Sequence, residues 1–222
     1  MTQLPALTPL QVRVLGVLVE KEHTVPDTYP LSLNALTAGC NQKNNRHPAI
    51  EAAESEVQSA LDGLRPLSLV IESSGMRVTR YTHNLGRVLR IPEQSVALLA
   101  ALMLRGPQTA AELRTAAERM HRFADVSSVQ AFLDELSQRP DAAGGPLVHR
   151  LARAPGEREA RWAQLLSALP EPAAPPEQAT VARGSSPSGI EAMQARQEEL
   201  AQEVSDLRAK LERLASRLGV QL

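Results

Sequence analysis

Aromatic side chains are scarce in this chain: one Trp, two Tyr and two Phe among 222 residues. Tyr81, Trp162 and the phenylalanines are too few and too scattered to form a stacking platform for nucleic-acid bases, so they read as core filling. Apolar residues still make up 43% of the chain, so any core must be built mainly from Leu, Val and Ala. Cys40 is the only cysteine, which excludes an internal disulfide and points to a reduced compartment. No run approaches the roughly 18 apolar residues of a membrane span. Residues 1–6 carry neither a basic n-region nor an apolar h-region, so no signal peptide is expected. Together these absences predict a cytoplasmic protein with no membrane contact. Neither sign of charge is in excess, with 24 Lys and Arg against 25 Asp and Glu. No global field therefore draws the chain to nucleic acid or to an anionic surface.

Catalytic signatures are missing too. There is no glycine-rich phosphate loop. The histidines at 23, 47, 83, 121 and 149 show neither i,i+4 pairing nor cysteine neighbours, so no metal ligation is expected. Cys40, four residues after Leu36 near a helix end, reads as a small buried residue rather than a nucleophile. A non-catalytic chain without catalytic residues, cofactor or metal is the expectation.

What is present is a repeated order of elements. Thr8 with Pro9 opens a helix carrying Leu10, Val14, Val17 and Leu18 at helical spacing. Two prolines within 25–30 break it. Ser32 caps a second helix with Leu33, Ala35 and Leu36, and the polar run CNQKNNRH follows at 40–47. Pro48 is expected to open a third helix with Ile50, Val57, Leu61 and Leu64 on one face. The period then shortens: 67–72 and 78–83 read as strands of a hairpin around 73–75. Three helices and a hairpin is the order of a winged helix.

The order recurs. Pro92 leads a helix with Val96, Leu99, Leu102 and Met103 on one side, stopped by Gly106-Pro107. Thr109 with Glu112 forms one capping box, and Ser127 with Gln130 is expected to form a second, before Val129, Phe132, Leu133 and Leu136. Strands are expected in 147–153 and 160–166, around Pro155-Gly156. Prolines at 170, 172, 175, 176 and 187 then mark an extended linker. Ile190, Met193, Gln197, Leu200, Val204, Leu207, Leu211, Leu214 and Leu218 alternate by three and four, a heptad seam with only Gln197 polar. The expected organisation is mainly α with small β-hairpins: winged-helix domains at 1–90 and 91–166, a linker at 167–189 and a coiled coil at 190–219. Leu200, Val204, Leu207, Leu211, Leu214 and Leu218 are the candidate oligomerisation residues of a homodimer.

The segments CNQKNNRHP, LLAALMLRGPQTAAELRTAAERMHRF and LARAPGEREARWAQLL, in that order, resemble the YceH-like proteins, an uncharacterised bacterial group. The resemblance spans about residues 7–166 and implies a tandem winged-helix fold. It implies no catalytic residues. That family commonly carries an acidic residue where His47 stands, and Pro-Gly where Ala110-Ala111 stand.

Winged helices suggest DNA as a partner, with the third helix in the major groove and the wing on the backbone. The candidate nucleic-acid contacts are Asn41, Lys43, Asn44 and Arg46 in the polar turn, with Arg77, Arg80 and His83 on the first wing. The charges oppose this. The third helices carry Glu51, Glu54 and Asp62, and Asp134 and Glu135, on their outer faces. A nucleic-acid domain is ordinarily basic. A dimeric adaptor that binds another protein through winged-helix surfaces therefore stands beside DNA binding as the alternative.

Overall fold

The hydroxyl of Thr8 accepts from Gln11 N at 3.2 Å and Thr8 N donates to the Gln11 side chain at 2.8 Å, so both ends of a capping box close around Pro9. In this computed structural model that box starts α1, Pro9–Thr24. The structure describes residues 4–74, 78–153, 157 and 159–167, all within one compact unit, Met1–Pro170. Arg77, the heptad residues from Leu200 to Leu218 and the linker beyond 167 lie outside the described residues.

The described residues are mainly helical, with seven helices and two small antiparallel sheets. The Ser32 hydroxyl accepts from Ala35 N and caps α2, Leu33–Cys40. A polar loop leads to α3, Glu54–Leu64. The two-residue strand β1, Leu31–Ser32, pairs with β3, Thr79–His83, which also pairs with β2, Val70–Ser74. A short α4, Leu85–Leu89, joins this to α5, Glu93–Arg105. Thr109 and Glu112 form the expected box at the start of α6, Ala110–Ala117. Helix α7, Val126–Ser137, then precedes the hairpin of β4, Val148–Arg150, and β5, Trp162–Gln164.

Two expected helix starts move. Helix α3 begins at Glu54, not at Pro48. The Pro48 carbonyl is taken by Arg13 Nη2 at 2.6 Å, and Asn41 pins Ala52 through its N–H at 2.8 Å and its carbonyl at 2.9 Å. These bonds hold 48–53 as loop until Glu56 reaches back to Ala53 N. Ile50 packs on the core from that loop rather than from a helix. Helix α7 begins at Val126 because the Asp125 carboxylate, not Ser127, accepts from Ser128 N at 2.7 Å.

The core is organised around α1 and α5. Val12 to Val19 and Ser95 to Leu104 are buried without a break, so neither helix has a solvent face in its central turns. A helix apolar all round must be enclosed. Here α1 packs against α2, α3 and α5, and α5 against α6 and α7, placing the two halves on one continuous core. Gly16 lets them approach: a Cβ there would stand 3.0 Å from the Leu104 side chain. Among the described residues no helix is long and apolar enough to cross a membrane.

Candidate nucleic-acid interface

The polar run after α2 is shaped from beneath. Asn41 ends the helix, its N–H donating to Thr37 O, and Asn45 takes a left-handed φ of 60°, a conformation Asn tolerates better than most residues. Arg46 turns inward, its side chain fully covered. Its Nε donates to Gly39 O at 3.2 Å, its Nη1 to Glu20 Oε1 at 3.1 Å, and its Nη2 to Glu20 Oε2 at 2.6 Å and Gln42 Oε1 at 2.7 Å. The guanidinium thus grips the carboxylate with both forks. Burial pushes the Glu20 carboxyl up, but the hydrogen bonds and charge of Arg46, helped by Lys21, outweigh it and hold the group below the ordinary carboxylate value.

This geometry sorts the expected contacts. Arg46 belongs to the interior, which corrects the expectation that it meets phosphate: its donors are already spent on Glu20, Gln42 and backbone carbonyls. Asn41 is half-buried and committed to Ala52. Arg80 is exposed, but its Nη1 donates to Pro30 O at 2.7 Å, tying β3 to the segment before β1. His83 Nε2 lies 2.6 Å from Glu22 Oε2 on α1. Lys43 and Asn44 stay exposed, with no hydrogen-bond partner among the described residues. The outer face of α3 exposes Glu54 and Asp62, as its sequence implies.

Packing adds residues that no local pattern joined. Lys21 in the last turn of α1, Lys43 in the loop, Arg105 in the last turn of α5 and Arg119 just after α6 line one cleft of about 290 Å³. Among the described residues, Glu20 is the only acid on its wall. Lys21 and Arg105 carry one legible signal, since cations favour the negative ends of helices. Nothing in that signal says they converge.

A family described as "Protein of unknown function, DUF480" matches residues 7–157, the span from α1 through the second hairpin's first strand. The chain belongs to this family. The resemblance drawn from the three sequence segments, to an uncharacterised bacterial family, is thereby shown. Among similar proteins are UPF0502 proteins of Burkholderia cenocepacia, 57% identical over 218 residues, and Burkholderia ambifaria, 56% identical over 218 residues. Another, from Burkholderia pseudomallei strain K96243, is 55% identical over 216 residues. Each match covers 97% of this chain and 91% of the relative. The similarity to these UPF0502 proteins therefore runs past the DUF480 span into the heptad segment.

Proposed function

We propose that this DUF480 chain is a non-catalytic, nucleic-acid-associated protein of two tandem winged-helix units, dimerised through its C-terminal heptads. The order α1, α2, α3, β2, β3 followed by α5, α6, α7, β4, β5, with β1 joining the first hairpin, supports the winged-helix reading. The observation that carries the nucleic-acid reading is Lys43: an exposed cation, without a partner among the described residues, in the turn that a winged helix presents to a phosphate backbone. Contact runs through that turn and its basic surroundings, while the acidic outer face of α3 is kept from the groove. Fluorescence anisotropy with a short random-sequence duplex tests it. Affinity should fall with salt, and Lys43→Ala should flatten the log–log salt slope by about one unit. Absence of binding at low salt would remove the reading.

A second reading, a protein-binding adaptor, draws support from the first hairpin. Ile71 is 49% exposed and Val78 53%. Ile71 pairs with Thr82, and the alternation through Thr82 and Arg80 puts Val78, the residue before β3, on the same face of the hairpin. This exposed apolar face is suited to an apolar segment of a partner protein.

A further inference from the structure

The basic cleft is built from corresponding corners of the two halves. The segment after α2 supplies Lys43, and the segment after α6 supplies Arg119. Lys21 and Arg105 come from the last turns of α1 and α5, the first helix of each half. Lys21 is partly engaged, its Nζ 3.2 Å from Glu20 Oε2 and 3.3 Å from Gln42 Oε1. Lys43, Arg105 and Arg119 have no ion-pair or hydrogen-bond partner among the described residues. Glu20 cannot neutralise them, because both its oxygens are held by Arg46.

Four cations around one small concavity repel each other, and a bound anion relieves that cost most where the walls shield it from solvent. The two guanidinium groups offer paired donors matched to phosphoryl oxygens, and the lysines add compact charges. Val25, Ala116 and Met120 form an apolar part of the wall. A volume of about 290 Å³ is near the lower end of small-ligand sites, roughly 300 Å³, and suits one or two phosphoryl groups rather than a stretch of duplex.

We propose that this cleft binds a phosphoryl anion, presented by a free phosphorylated small molecule or by a nucleic-acid strand. This goes beyond the nucleic-acid reading, since a free phosphoryl compound satisfies the same side chains. The ligand bridges cations of both halves.

Calorimetric titration of the full chain with pyrophosphate tests the proposal. One equivalent should bind, and Lys43→Ala and Arg119→Ala should each weaken it about tenfold, the scale of one lost charge-assisted contact. Arg119→Lys, which keeps the charge and loses the paired donors, should weaken binding less than Arg119→Ala. Arg87→Ala, which removes an exposed cation on α4, should change nothing. Both alanine replacements are at exposed positions, and unchanged melting temperatures will verify the fold. No pyrophosphate binding, binding indifferent to both cleft replacements, or equal loss in Arg87→Ala would overturn the proposal. A competition arm separates the sources. If pyrophosphate displaces a labelled single-stranded oligonucleotide, the strand supplies the phosphate; if pyrophosphate binds and no oligonucleotide does, the ligand is a free phosphoryl compound and the nucleic-acid reading falls alone. Oligonucleotide binding without pyrophosphate binding sinks the cleft and leaves that reading standing.

Discussion

Arg46 Nη2 stands 2.6 Å from Glu20 Oε2, and this pair fastens the polar loop to the end of α1 although the two residues lie 26 apart in sequence. Removing one partner of a covered pair leaves a charge without its counterpart. Arg46→Met should therefore cost about 3 kcal/mol in urea denaturation. Lys43→Ala, three residues away and exposed, should stay within about 0.5 kcal/mol. The double replacement Arg46→Met, Glu20→Leu should recover part of the loss. Equal effects at Lys43 and Arg46 would contradict the buried placement.

The same pair sets an acid dependence. The folded Glu20 carboxyl is held below its unfolded value, so its ionisation contributes stability that is complete above the ordinary carboxylate range, about pH 4, and is lost as pH falls through the folded value. Glu20→Gln should lower stability at neutral pH and flatten the acid limb of the stability profile. Denaturation midpoints measured from neutral pH down to the acid transition check this; an unchanged acid slope would count against it.

Gly39 sits where α2 meets α1. A Cβ added there would stand 2.6 Å from Val17 Cγ1, and Val17 is fully buried and cannot swing aside. Gly39→Ala should cost about 1–3 kcal/mol by overpacking, even though alanine favours helices. A neutral or stabilising result in a thermal melt would show that the helices are less closely docked.

Cys40 is fully buried, and burial pushes its thiol up to about 11 against the opposing pull of Arg13 and Arg46. Only the thiolate attacks alkylating reagents. Iodoacetamide should modify the native chain far more slowly than the urea-unfolded chain, with added urea raising the rate in step with unfolding. Rapid native labelling would mean that the loop opens locally.

The heptads make a separate forecast. A narrow apolar stripe needs a partner helix, so the full chain should be dimeric or larger by light scattering, and Leu207→Asp should reduce its stoichiometry. A monomeric full chain at micromolar concentration would refute the coiled-coil dimer.

Local sequence alone dictates the caps at Thr8, Ser32 and Thr109, the order of the six longer helices and of the two strand pairs, and the burial of Cys40, but not β1 or α4. Each follows from interactions within a few residues: a hydroxyl meets an N–H one turn on, and an apolar period of 3.6 or 2 marks a helix or a strand. Even the apolar runs around Val14 and Leu99 carried a tertiary message, because a helix without a polar face has to be enclosed. Where local signals compete, contacts made in the folded chain decide the helix start. Pro48 and Ser127 are good helix openers, but Arg13 and Asn41 hold the first segment as loop, and the Asp125 carboxylate starts the second helix earlier. Long-range packing turns Arg46 inward and leaves Lys43 exposed, and it gathers Lys21, Lys43, Arg105 and Arg119 around one cleft. Adjacent loop cations look alike in sequence. Their fates depend on which distant backbone carbonyls and carboxylates the packing of α1 against α2 and α5 brings within hydrogen-bond reach, and the energy of that choice lies in desolvation and pairing rather than in any local propensity.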